Sequence, residues 1–230
     1  MTRRTNARIA GITFLVYIAV AFPAMVIEGR ATGGANVSAR LATIAQHTGD
    51  MRLSVLLGLV SVFCALTLAV TLYGITRDED HELSMFGLVC RAGEGIIGAA
   101  PASTLGLLWL ATASGPNAPD AAGAAALAGF LLKLGNWQVT TAATLFAAGS
   151  TIFAVLLLRG RMIPAPLAWL GVVGSLLILI ELPFELAGFI GRPSQLIWIP
   201  IALFEVTVAF WFIIKGVAPA TRRDLISPAR

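Results

Sequence analysis

Arg91 and Glu94 lie inside an apolar run, residues 83–111, that is long enough to cross a bilayer. A third ionisable group, Glu205, sits near the centre of another such run, residues 195–214. An arginine facing two carboxylates is one positive charge against two negative. A proton, a cation or a ligand amine can take up the surplus. Arg91, Glu94 and Glu205 are therefore the candidate ligand-binding or proton site. The plainer alternative is a buried triad that locks three helices in register and does nothing else.

The spacing of these residues says how they must be held. On a helix at 100° per residue, Gly87, Arg91, Glu94, Gly98 and Ala102 share one face. Isolated charges at the bilayer centre cost roughly 2.5–3.5 kcal/mol each on insertion scales, so this face packs against other helices or lines a polar cavity. Depth decides which charges can meet. At 1.5 Å per residue Arg91 lies roughly 12 Å from the cytoplasmic end of its run and Glu94 roughly 16 Å. Glu205, about ten residues from the outer end of the last run, comes to the same level.

Glu181 and Glu185 lie a turn apart on either side of Pro183, toward the outer end of the fifth run, roughly 25–30 Å from the cytoplasm. With Asn136 and Thr140 of the fourth run they are candidates for a secondary outer vestibule. Snorkelling to the headgroups and ordinary helix–helix hydrogen bonding are the plainer readings. Direct catalysis has little to work with. The apolar runs hold no Ser/His pair and no His-Glu-x-x-His, which leaves acid–base work by a glutamate on a lipophilic substrate. No cofactor is implied. Metal binding is not indicated either, because His47 and His81 fall in different loops, expected on opposite sides of the membrane. Cys64 and Cys90 lie in apolar runs as small packing residues.

The elements that must position these groups follow from composition. Of 230 residues, 57% are apolar and 12% charged, and the mean hydropathy is +0.86. Soluble domains carry roughly 25% charged residues, so the chain is expected to be an all-α polytopic transmembrane bundle with the lipid bilayer as its surroundings. No alternating ten-residue strands of a barrel appear. Six helical spans are expected, at about 9–27, 51–75, 83–111, 136–158, 166–189 and 195–214, in a single transmembrane domain covering 1–230. Residues 1–8 form a basic leader to an uncleaved anchor, because the apolar run is longer than a signal-peptide core. Val37, Leu41 and Ile44 recur at helical spacing and predict a short interfacial helix in the first outer loop, with an ordered loop as the alternative. Asp120 can cap a further helix, 121–134, that either lies at the interface or runs into the fourth span with Gly135 as the joint. Residues 215–230 form a basic cytoplasmic tail.

The net charge of +4 does not mark a nucleic-acid binder, since the basic residues gather at the ends of the spans. Six spans put both termini on one side, with Arg3, Arg4, Arg8, Arg77, Arg159, Arg161, Lys215, Arg222, Arg223 and Arg230. Arg30, Arg40, Arg52, Lys133 and Arg192 fall on the other. The positive-inside rule then places both termini in the cytoplasm, and the expected location is the inner membrane.

Several short stretches carry a family likeness. They are Arg8-Ile-Ala-Gly11, Arg91-Ala-Gly-Glu94, Arg161-Met-Ile-Pro164 leading to Trp169-Leu-Gly171, Pro200-Ile-Ala-Leu-Phe-Glu205 and Trp211-Phe-Ile-Ile-Lys-Gly216. In this order and spacing the chain resembles the bacterial and archaeal membrane proteins catalogued as domain of unknown function 4386. The resemblance implies a six-span bundle with Arg91, Glu94 and Glu205 at characteristic polar positions. It implies no activity, and it offers no counterpart for Glu181 and Glu185. A binding or accessory role, with a small-molecule ligand or a membrane-protein partner, asks least of these residues.

Overall fold

The structure is a computed structural model that describes residues 2–98, 101–115, 118–191 and 194–218. Among them the regular elements are helical: α1 (Arg3–Ala31), α2 (Val37–Gln46), α3 (Thr48–Thr76), α4 (His81–Gly98), α5 (Ala102–Thr112), α6 (Ala121–Arg159), α7 (Ala165–Leu186) and α8 (Ile199–Ile214), the last preceded by a 3-10 turn, Gln195–Trp198. Among the described residues six spans are long and apolar enough to cross a membrane: α1, α3, α4 with α5, α6, α7, and the turn with α8.

Start signals in the sequence set several helix ends. Thr2 caps α1, its Oγ1 accepting from Thr5 N at 3.2 Å, so the helix takes in Arg3, Arg4 and Arg8, where a leader was expected. Asn36 caps α2 by accepting from Ala39 N at 2.8 Å, and Asp120 caps α6 by accepting from Gly123 N at 2.7 Å. The acidic turn before α4 ties loops together. Asp78 pairs with Arg3 at 3.4 Å, and Asp80 and Glu79 pair with Arg159 at 3.3 and 3.7 Å.

The spans follow one another around a ring. α1 packs on α3, α3 on α4, α4 on α6, α6 on α7 and α7 on α8, and α8 closes onto α1. Closure needs a small residue. A Cβ on Gly11 of α1 would stand 2.6 Å from the Ala209 carbonyl oxygen of α8, so only glycine lets these backbones approach. The two ends of the described chain share one face, here the terminal face, where Gly216 lies beside Arg4 and Ala218 N donates to Met162 O at 3.2 Å.

The third and fourth spans show how the helices meet the expected runs. The third expected run falls within one span, His81–Thr112, described as α4 and α5 on either side of residues 99 and 100, with Pro101 before α5. Proline has no N–H to carry a helix ladder. Residues 99 and 100, part of the expected run, lie outside the described residues, as do Arg192, Pro193 and 219–230 of the basic tail. The fourth span and the short helix before it are one helix of 39 residues, about 58 Å long against roughly 30 Å of hydrocarbon. Gly135 is no joint. A Cβ there would meet Ser103 Oγ at 3.3 Å, and Ser103 in turn donates to Gln138 at 3.2 Å, so the glycine admits α5 against α6.

The extra length of α6 builds a second core at the distal face. Ile44 of α2, Met51 of α3, Leu107 and Leu110 of α5 and Ala128 of α6 are buried together, with Val37 and Leu41 packed on them. The expected stripe of α2 is therefore a helix whose apolar face seats on protein. The main core fills the ring within the membrane.

Candidate functional site

α4 and α8 stand opposite each other in the ring and are not packed neighbours. Their charged side chains can meet only along its axis, and the axis is where they lie. Arg91 is 1% exposed, Glu94 5% and Glu205 8%.

Arg91 is held on three sides. Its Nη1 lies 3.0 Å from Glu94 Oε2, an ion pair one turn along the same helix. Its Cζ stands 4.7 Å from the centre of the Phe146 ring of α6, a cation–π contact. Its stem crosses Gly149, where a Cβ would come within 2.7 Å of Arg91 Cγ. The 3.0 Å ion-pair contact lacks the alignment of a hydrogen bond, and none of the guanidinium nitrogens has a hydrogen-bond acceptor among the described residues. The second oxygen of Glu94 is engaged from α1, where the Tyr17 hydroxyl donates to Oε1 at 2.9 Å.

Glu205 differs. Among the described residues it makes no ion pair and no hydrogen bond, although the nearest charges acting on it are those of Arg91 and Glu94. It lines a small cavity of about 10 Å³ between α1, α3, α6 and α8, and Ser150 is the other polar side chain on that wall. The centre thus holds one carboxylate paired with Arg91, one carboxylate without an ion-pair partner among the described residues, and a guanidinium with free donors. Its formal charge is negative by one.

The predicted triad is therefore brought together, with a division of labour the sequence did not show. Arg91 belongs to Glu94, and Glu205 stands apart at longer range. Glu181 and Glu185 are not part of this centre. They are half-buried at the distal end of α7, roughly 24 and 30 Å along it, while Arg91 is roughly 15 Å along α4. Asn136 is exposed and Thr140 half-buried on the distal half of α6, and the Thr140 carbonyl accepts from Thr144 Oγ1 at 2.9 Å. Among the described residues no three His, Cys, Asp or Glu side chains are grouped to hold a metal. His47 instead contacts Asp50 at 3.1 Å, and His81 contacts the Tyr73 hydroxyl at 3.1 Å.

Sequence reasoning missed Tyr17, Phe146 and Ser150. A signal existed for Tyr17. It stands roughly 21 Å along α1, and a hydroxyl at that depth in hydrocarbon requires a partner. Nothing in the sequence marks Phe146 or Ser150, because phenylalanine and serine are ordinary span residues.

A family model described as domain of unknown function (DUF4386) matches residues 9–216, nearly all of the described chain. The chain belongs to this family. The match takes in Tyr17, Arg91, Glu94, Ser150 and Glu205, so for a member of DUF4386 the whole centre lies within the shared region. No curated protein and no solved structure matches the chain. The family description carries no activity, and a functional reading must come from the centre itself.

Proposed function

We propose that this integral membrane protein exchanges a proton at the Arg91/Glu94/Glu205 centre. The observation that carries the reading is Glu205: a carboxylate nine-tenths buried at mid-membrane, without a hydrogen-bond partner, beside a pair that is already neutral. A charge left unpaired in hydrocarbon is expensive, and a single proton removes it. The size of the adjoining space favours a proton over an organic ligand, since about 10 Å³ admits nothing larger than a water. Arg91 and Glu94 supply the fixed field in which the exchange takes place.

We also propose an inner-membrane location with both termini in the cytoplasm. The excess of arginine and lysine at the terminal face supports it.

Infrared difference spectra recorded between two pH values test the central reading, on wild type and Glu205→Gln in lipid. The expected result is a carbonyl stretch of a protonated carboxyl that comes and goes with pH in wild type and is missing from the variant. Identical spectra from the two proteins would mean that Glu205 keeps one protonation state and that the cluster only holds helices together.

A further inference from the structure

We infer that the space beside Glu205 is a site for one water molecule, held between the Glu205 carboxylate and the Ser150 hydroxyl, and that through it the proton reaches Glu205 from the terminal face. The inference rests on the proton-exchange reading and adds to it the carrier and the direction.

Size comes first. The cavity measures about 10 Å³, close to the room one water needs. Chemistry comes second. A buried water requires two to four polar partners. The wall offers two carboxylate oxygens from α8 and one hydroxyl from α6, and among the described residues neither side chain has a hydrogen-bond partner elsewhere. A Ca²⁺ or Mg²⁺ ion takes six or more oxygens, so three do not make a metal site.

Direction comes third. The rest of the wall is apolar and runs toward the terminal face. Leu157 lies seven residues beyond Ser150 along α6, Phe212 seven residues beyond Glu205 along α8, and Leu72 one turn before the end of α3. Seven residues of helix are about 10 Å. Arg91, Phe146 and Glu94 do not line this space. The side chains that close this space therefore lie mainly on the side of the carboxylate where the loops and both chain ends gather. The titratable and charged groups facing Glu205 are Arg91 and Glu94 of α4 and Tyr17 of α1. In the transfer, an O–H bond of a protonated water breaks as one to a Glu205 oxygen forms, and a neutral water is left behind.

The test follows the Glu205 carboxyl band in D2O, in wild type and in Ser150→Ala. Deuteration of that band is expected to slow roughly tenfold in the variant, the factor for about 1.4 kcal/mol of lost hydrogen bonding. In oriented vesicles a pH step at the terminal face is expected to change the band, and a step at the distal face is not. An experimental structure of the wild type that resolves waters should show one within hydrogen-bond distance of both side chains, and that density decides the matter where Ser150→Ala does not fold. Equal deuteration rates, or a wall without water density, would overturn the water site while the proton reading stands. A response only to the distal step would overturn the direction. A wild type with no titrating Glu205 band would instead remove the proton reading itself.

Discussion

The terminal face and the bundle axis hold the same chemistry in two different media. At the terminal face Arg159 pairs with Glu79 and Asp80 across a loop, and about half of its side chain is exposed. On the axis Arg91 pairs with Glu94 at 1% exposure. Exposed pairs contribute about 0–1 kcal/mol, because water screens them and two long side chains must be ordered. In a buried pair the partners depend on each other, and removing one strands the other in a low dielectric. The face therefore tolerates several acids around a few arginines, whereas on the axis a single unmatched carboxylate is a chemical event. The contrast is the reason the axis, rather than the face, carries the proposed proton site.

The sharpest way to break the comparison is Arg91→Met. It leaves two carboxylates without their cation, and thermal unfolding in detergent should report a loss of about 3–5 kcal/mol. Adding Glu94→Gln to that variant should recover a large part of the loss, since the stranded charge goes with it. A loss no larger than that from a surface pair would remove the distinction between the two media.

Next in size is Gly149→Ala. The new Cβ would lie 2.7 Å from Arg91 Cγ and push the guanidinium off Phe146, at about 1–3 kcal/mol. Gly58→Ala on α3 is its control, because nothing lies within 4 Å of a Cβ there. Thermal shifts of the two variants should differ clearly, and equal shifts would mean that the Arg91 stem is not confined.

Tyr17→Phe removes one hydrogen bond to Glu94 and should cost about 1 kcal/mol by the same assay. Glu94 would then keep only Arg91, so Arg91→Met should hurt more in the Tyr17→Phe background than the two single losses predict. Strict additivity would deny the link between α1 and α4.

The smallest effect belongs to the terminal face. Arg159→Gln should lie within about 1 kcal/mol of wild type, and the difference should shrink as salt is raised. A salt-independent loss of several kcal/mol would mean that this face, too, is buried.

Particular residues show where the sequence was legible. Periodicity and run length delivered α3, α7 and α8 to within a few residues, and Val37, Leu41 and Ile44 announced α2. Capping chemistry at Asp120 announced the start of α6. Gly135 misled, because a glycine that breaks a helix and one that admits a neighbouring helix look the same in one dimension. Only the position of Ser103 tells them apart. Within the site, Arg91, Glu94 and Glu205 were visible as charges out of place. Tyr17 was visible in principle, through its depth.

The sequence alone determined that six apolar segments cross a membrane and that three ionisable groups lie near mid-depth. Transfer from water to hydrocarbon is a property of each segment by itself, and depth along a helix is a matter of counting. The tertiary structure alone decided that Arg91 pairs with Glu94, that Tyr17 bonds to that pair, and that Glu205 lines a small space with Ser150, with no hydrogen-bond partner among the described residues. Those outcomes depend on the order of helices around the ring and on which glycines let backbones close, and no segment carries that information without its neighbours.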